Sequence, residues 1–263
     1  MNLENNKKLI TNISEVLGKY IDSVIKQENI AEIKSLINNC EIFLNHEKLL
    51  NSNIEGIIKS KLGVIHFFCS DNIKAKDCLE ESLLKLKDAY KENPISTAFS
   101  LGYLGNVVRD LGDYAKAKFL LEKSLSIYGK YPLADPQQYA YFFVYLNIVE
   151  TYLGNYKIAK DLLETGLIIH KNYFPKNKNY LAWVSGRLGV LERISGNYEK
   201  AEVLLEASLS NFQNDSYLRD MDVAWALQHL SVVYIKLGKY EKAKQAIAQS
   251  LKFWISLFPA PST

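Results

Sequence analysis

Aromatic and polar residues that recur at a fixed spacing are the part of this sequence best suited to chemistry, and that chemistry is binding. From Phe99 onward an aromatic residue recurs with a constant period, and Tyr, Arg or His follows it four positions later. Spacings of four and three keep side chains on one stripe of a helix. Aromatic and arginine side chains carry a large share of the binding energy at interfaces. The candidate residues of these columns are Phe99, Tyr103, Asn106, Tyr141, Tyr145, Trp183, Arg187, Trp225, Gln228 and His229.

Two interpretations stay open for the tryptophans of this set. Trp183 and Trp225 either line a binding groove or pack between neighbouring helices, because a large ring often does both. Tyr103, Tyr145 and Arg187 are stronger groove candidates, since their column changes chemistry from one copy to the next. Asn106 and Arg187 are expected to be polar anchors.

Signals for catalysis and for cofactor binding are absent from the sequence. The four histidines occur singly, without a second ligand at the spacing that a metal site needs. No Ser or Cys stands in a nucleophile motif. The glycine pairs in GYLG at 102–105 and GRLG at 186–189 lie in helical patterns and follow no strand, so we interpret them as packing positions. We therefore expect no enzyme activity, no metal and no cofactor.

The elements that must position these side chains are encoded by an internal repeat. The stretch LGDYAKAKFLLEKSLSIY at 111–128 returns from 153, 195 and 237, and a weaker copy begins at Cys69. Its glycine suits the left-handed residue that ends a helix. Asp113, Asn155 and Asn197 follow at positions where a helix N-cap is expected. Each copy thus predicts a helix, a tight turn and a second helix.

Regular columns of large and small residues run through both helices of each copy. The second helix repeats Ala, Leu, Ser and Leu at spacings of 4, 3 and 1, which places them on one face. The first helix repeats Leu followed by a small residue, as at Leu104 and Gly105. A small residue lets two crossing helices approach closely. Because one such pair cannot bury its own apolar face, consecutive pairs must stack.

The pattern L-G-x-x-x-x-L-G-x-Y-x-x-A-x-x-L-x-x-S-L resembles the tetratricopeptide repeat. The period of 42 and the lead-in DPQQYA at 135–140 are similar to the long variant of kinesin light chains. HEAT and armadillo repeats share the period but lack the Gly-Tyr-Ala turn signature. The resemblance implies an all-α, right-handed α-solenoid of about six helix pairs. It also implies that the first helices line a concave groove, and that the candidate residues on them contact a protein or peptide ligand there.

The sequence departs from two ligand classes known in this family. Gly102 and Tyr145 stand where the lysine and asparagine of a carboxylate-binding groove would be expected. The wall that carries asparagines in kinesin light chains is aromatic here. Neither ligand class is therefore carried over.

The chain divides into repeats with one irregular pair at its start. We expect an array of five units at 51–90, 93–130, 135–172, 177–214 and 219–257, followed by a tail at 259–263. Residues 1–50 form either a degenerate repeat that acts as a cap or an unrelated helical hairpin. Its helices are expected over about 8–26 and 30–44. Ile33 and Ile37 fall one repeat period before Ala75 and Leu79, which is the basis for the first alternative.

Composition and termini bound the remaining expectations. A net charge of +3 is too small to argue for nucleic acid or a membrane surface. The polar start MNLENNKKLITN lacks the apolar run of a signal peptide, and no window is long enough to span a membrane. We expect a cytoplasmic protein, or one exported without an N-terminal signal.

The final helix predicts a second contact surface. Ile247, Leu251, Trp254 and Ile255 have nothing in the sequence to cover them, and Phe258-Pro259 repeats the register of Phe174-Pro175. We expect a partner, a second copy or further chain to cover this helix, unless it is simply exposed. For function, a binding scaffold is the main expectation. The alternatives are a peptide sensor that changes superhelical pitch and, from the Asn-, Lys- and Ile-rich composition, a bacterial effector that binds host proteins.

Overall fold

The computed structural model describes residues 3–27, 30–45, 50–87, 93–212 and 217–257, and these ranges hold twelve α-helices and no strand. The all-α class predicted from the repeat is confirmed. The chain groups into two compact units, Met1–Phe142 and Phe143–Thr263, so that the boundary falls inside α7. The helices are α1 Leu3–Gln27, α2 Ile30–Leu44, α3 Ser52–Phe68, α4 Asn72–Leu86, α5 Pro94–Asp110, α6 Tyr114–Tyr128, α7 Pro136–Tyr152, α8 Tyr156–Tyr173, α9 Lys178–Ile194, α10 Tyr198–Asn211, α11 Tyr217–Lys236 and α12 Tyr240–Leu257.

The helices keep the register of the repeat closely. The second helix of each pair begins at residue 30, 72, 114, 156, 198 or 240, so successive starts are separated by one constant period. The first helices α3, α5, α7 and α9 likewise begin at 52, 94, 136 and 178. Helix α2 has the expected bounds, whereas α1 begins at Leu3, ahead of the expected position 8. Phe258-Pro259 and the tail 259–263 lie outside the described residues.

Each regular hairpin turns at a glycine in the left-handed region. Gly112, Gly154, Gly196 and Gly238 have φ values between 71° and 90°. In the turn after α5, the amide of Gly112 donates to the carbonyl of Arg109 at 2.9 Å, and that of Asp113 donates to Val108 at 3.1 Å. These bonds satisfy carbonyls that the helix end leaves open. The weaker copy holds Ser70 in the same position, with φ 61°.

Side-chain capping differs from the expectation at two of the three N-caps. Asp113 accepts a hydrogen bond from the amide of Lys116 at 3.0 Å. Asn155 and Asn197 occupy N-cap positions but make no capping bond. Their amide groups donate instead to Glu150 at 2.7 Å and to Glu192 at 2.8 Å. Both carboxylates lie in the buried part of the first helix, where an unpaired charge is unfavourable, so the asparagines bond to them rather than to the backbone.

The two helices of a pair approach closely because one of them lacks side chains at the contact. A Cβ atom added to Gly105 would lie 2.8 Å from Leu121 Cγ and 3.2 Å from the carbonyl oxygen of Ala117. In the next pair Asn147 replaces this glycine, and its amide donates to the corresponding carbonyl of Ala159 at 2.8 Å. The expectation that these glycines are packing positions agrees with this geometry.

A column of serines fastens the second helix to the first. In four pairs a buried serine hydroxyl donates to a backbone carbonyl of the preceding helix, at 2.6 to 2.9 Å. The pairs are Ser82 with Gly56, Ser124 with Ala98, Ser208 with Ala182 and Ser250 with Ala224. A small hydroxyl therefore serves both close packing and hydrogen bonding, which explains why Ser recurs at this position.

Because the turn residues have positive φ, substitutions at this position are expected to change the free energy of unfolding in opposite directions. We expect Gly196→Ala to lower the free energy of unfolding by about 1 kcal/mol, because only the left-handed backbone opposes the methyl group. Ser70→Gly should raise it by about 0.5 kcal/mol, since relief of strain is partly offset by the entropy of the unfolded chain. Urea unfolding followed by circular dichroism measures both.

Gly18→Ala is the matched control for this pair. Gly18 lies inside α1 without a positive φ, and an added Cβ would meet nothing within 4 Å. The same chemical change should therefore stabilise the chain by about 0.5 to 1 kcal/mol. A Gly196→Ala variant as stable as wild type would contradict the assignment of strain to this turn.

Candidate functional site

Four of the expected binding residues form one cluster on α9 and α11, in the unit Phe143–Thr263. Trp183 and Arg187 lie one turn apart on α9, and Trp225 and His229 lie one turn apart on α11. The Arg187 guanidinium lies over the Trp225 ring, 4.1 Å from its centroid. The His229 ring meets Trp225 edge-on, with centroids 4.6 Å apart. All four side chains are partly exposed. We call them the tryptophan–arginine cluster.

A glycine makes room for the Trp225 indole. A Cβ atom at Gly186 would lie 3.0 Å from Trp225 Cζ3 and 2.9 Å from Ser208 Oγ. Any larger residue at 186 would therefore displace the ring. The indole is thus confined by the α9 backbone, by Arg187 and by His229, which leaves it little freedom to lose on binding a ligand.

Trp183 is fixed by a hydrogen bond that the repeat pattern did not indicate. Its Nε1 donates to Asp222 Oδ2 at 2.6 Å. Its ring lies 6.0 Å from that of Tyr145. The positions one and two repeat periods before Asp222 hold Tyr180 and Gln138, so no acidic column marked this residue in the sequence.

The surroundings of His229 keep its imidazole neutral near pH 7. Burial, followed by the charges of Arg193 and Arg187, lowers the pKa of His229 to about 4. Burial disfavours the charged imidazolium, and the two nearby arginines add to this effect because like charges repel. Arg193 was absent from the sequence expectation. The cluster therefore carries its positive charge on guanidinium groups and not on histidine.

The expected residues of the unit Met1–Phe142 form a separate and more buried group. Tyr103 is buried, and its ring contacts Phe99 with centroids 4.8 Å apart and Phe142 at 5.7 Å. Burial also raises the pKa of Tyr103, so its hydroxyl stays protonated. The Lys61 ammonium lies 4.0 Å from the centroid of the partly buried Phe99. A Cβ at Gly102 would collide with the Phe142 ring at 2.3 Å, so this glycine is also required by an aromatic neighbour.

The remaining expected residues differ in exposure. Asn106 is buried, and its Oδ1 has no hydrogen-bond partner among the described residues. Tyr145 is buried, Tyr141 is partly buried and Gln228 is exposed. The tyrosines that the sequence favoured as groove residues are thus enclosed, whereas the tryptophans for which it left two interpretations are both packed and partly exposed. Periodicity does not predict exposure. Residues of one column lie at the same place on each helix, but the residues packed around them differ from pair to pair.

The described residues contain neither a metal-binding cluster nor a membrane-spanning helix. Among the described residues, no three His, Cys, Asp or Glu side chains lie together as a metal site requires. None of the described helices combines the length and the apolar character that crossing a bilayer needs.

The depressed pKa of His229 predicts a pH dependence of stability. Between about pH 6.5 and pH 4 the unfolded chain binds a proton that the folded His229 does not, so stability must fall as the pH is lowered through this window. We expect His229→Gln to remove about 2 kcal/mol of this loss. Urea unfolding of both proteins at pH 4.5 to 7 measures it.

Residual pH dependence is expected in the variant. Burial also lowers the pKa of His66 and of His170, and their contributions persist when His229 is replaced. Curves of stability against pH that run parallel for wild type and His229→Gln would show that His229 titrates normally.

The protein-family models that match this chain agree with one another. Models of the tetratricopeptide repeat match residues 55–130 and 226–253. No curated protein sequence matches the chain.

Solved structures with the same fold share little sequence with this chain. NprR in complex with its cognate peptide NprX is 14% identical, with a TM-score of 0.71 over 91% of this chain and 66% of its own. Rap protein complexed with Competence and Sporulation Factor is 20% identical, with a TM-score of 0.68 over 97% and 76%. A putative kinesin light chain from Podosopora anserina with nearly identical TPR-like repeats is 18% identical, with a TM-score of 0.53 over 77% and 96%. The two family matches, the constant register of the helix pairs and the shared fold identify the chain as a tetratricopeptide repeat protein.

Proposed function

We propose that this chain is a non-catalytic scaffold that binds a peptide, or a peptide-like segment of a protein, through the tryptophan–arginine cluster. The observation that carries the proposal is the Arg187 guanidinium held 4.1 Å above a partly exposed Trp225 ring. The repeat family to which the chain belongs consists typically of binding modules. NprR was solved with its cognate peptide and Rap protein with Competence and Sporulation Factor, and both share the fold of this chain.

The chemistry of the cluster suits a ligand with apolar and acceptor groups side by side. Indole rings supply apolar area on few rotatable bonds, so little entropy is lost when they are covered. A guanidinium stacked on a ring still donates within its own plane to carbonyl or carboxylate oxygens. Gly186 and Asp222 hold Trp225 and Trp183 in place before a ligand arrives. A peptide with an aromatic or aliphatic side chain next to a backbone or side-chain oxygen fits this arrangement.

The buried group in the other unit has a different role in this proposal. Tyr103 and Phe142 pack inside the unit, and we assign to them the positioning of Phe99 and Tyr141 at its surface. Asn106 is buried, and its Oδ1 has no hydrogen-bond partner among the described residues. We keep it in the proposal as a polar anchor for a ligand group that reaches this oxygen.

A second candidate is a sensor whose structure responds to a peptide. It is favoured by the likeness to NprR, a quorum sensor that has been solved both in its apo form and with its peptide. The chain covers only 66% and 64% of those two NprR chains, so the comparison supports the binding role before any regulatory one.

The test starts from peptides selected on the immobilised chain from a random phage-displayed library. Titration calorimetry then compares wild type with the double variant Trp183→Ala, Arg187→Ala. We expect the dissociation constant of a selected peptide to rise about tenfold or more, because aromatic and arginine contacts dominate such interfaces. Lys157→Ala, an exposed charge on α8, should leave it unchanged.

Circular dichroism of the double variant must match wild type, so that loss of binding is not loss of fold. Equal affinities for wild type and double variant would exclude this cluster as the site. A library that yields no binding peptide would count against peptide recognition itself.

A further inference from the structure

Helix α12 exposes an apolar position that is buried in the equivalent helices. Ile247 is 41% exposed, whereas Leu79, Leu121, Leu163 and Leu205, which occupy the same position in the other copies, are each 0% exposed. Tyr240, Leu251 and Ile255 continue this exposed stripe along α12. Tyr240, Ile247 and Leu251 line a shallow groove of about 400 Å³ together with Ile235 of α11. We call this surface the α12 face.

The α12 face corresponds to a surface that stacks on the next helix pair elsewhere in the chain. In the pair before it, Leu205 and Ala201 of α10 belong to one buried cluster with Leu227 and Leu230 of α11. Ile247 stands one repeat period after Leu205. The α12 face is therefore built to receive the first helix of another pair.

Helix α1 exposes the complementary surface. Leu9, Ile13, Val16 and Tyr20 follow each other at spacings of 4, 3 and 4 and are all exposed, although Ile21 and Val24 on the same helix are buried. Val16 is 68% exposed, yet Ile58 and Val184 at its equivalent position are at most 1% exposed. In this register Tyr20 is the counterpart of Leu230, which contacts the preceding pair. We call this surface the α1 stripe.

The charges beside the two surfaces are complementary. Between α10 and the following pair, Glu202 is paired with Lys242 at 3.7 Å. The residue one repeat period after Glu202 is Lys244, and the residue five periods before Lys242 is Glu32. The two equivalent positions therefore hold opposite charges with the signs exchanged: Lys244 lies on the α12 face, and Glu32, which accepts a hydrogen bond from Tyr20 at 2.8 Å, lies beside the α1 stripe.

We propose that a second copy of this chain covers the α12 face with its α1 stripe, so that copies associate head to tail in the register of the repeat. The contact is heterologous, because each copy uses a different surface. In this arrangement α1 and α2 act as a degenerate repeat, since α2 begins in the common register at residue 30.

Two variants of the full chain separate this arrangement from its alternatives. One carries Ile13→Lys and Val16→Lys in the α1 stripe, and the other carries Leu251→Lys and Ile255→Lys in the α12 face. Leu84→Lys with Val203→Lys is the matched control, since both residues are exposed apolar side chains on second helices away from either surface. Sedimentation velocity over a concentration series gives the association state, and circular dichroism confirms the fold.

Wild type and control should associate, and each of the two variants alone should bind itself about tenfold or more weakly. An equimolar mixture of the variants should recover a heterodimer, because one supplies an intact α12 face and the other an intact α1 stripe. Undiminished self-association of the α1 variant, or of the α12 variant, would overturn the proposal in favour of a symmetric contact through the surface left intact. A wild-type chain that stays monomeric at every concentration would overturn it outright.

Discussion

The close approach of two helices within each pair is the constraint on which the rest of this structure depends. Gly63, Gly105 and Gly189 bring a first helix to within contact of a leucine and a carbonyl on its partner, where no Cβ could fit. A serine from the second helix then bonds to the backbone of the first. In a pair packed this tightly, the two helices bury one face against each other, and the pair presents an outer face on either side. Its remaining apolar residues can be buried only by further pairs.

Packing also determines where binding side chains can lie. Gly186 is needed because Trp225 occupies the space beside it, and Gly102 is needed because Phe142 does. Binding and packing are therefore not alternatives for the tryptophans. The Trp225 ring packs against the α9 backbone at Gly186 and stays partly exposed beside Arg187, so a packed residue is also a rigid surface residue.

Burial also determines how the ionisable side chains are paired. Glu150 and Glu192 are buried near the ends of their first helices, and each accepts a hydrogen bond from the asparagine that opens the next helix. Hydrogen bonds from Lys200 and Asn197 hold the pKa of Glu192 below its usual value. At the tryptophan–arginine cluster the balance is opposite, because His229 remains neutral beside Arg193 and Arg187. Each of these ionisable groups is thus either paired or kept uncharged.

The sequence by itself determined the helix pairs, their register and their turns, since these depend on residues a few positions apart that recur in every copy of the repeat. The left-handed glycines and the packing columns belong to this class. Tertiary structure decided what each column contacts. The Trp183–Asp222 hydrogen bond joins two different helices and has no repeated counterpart in the sequence. The enclosure of Tyr103 and the exposure of Ile247 likewise depend on which neighbours are present. Periodicity places a residue on a face of its helix, but only the packed neighbours decide whether that face is core or surface.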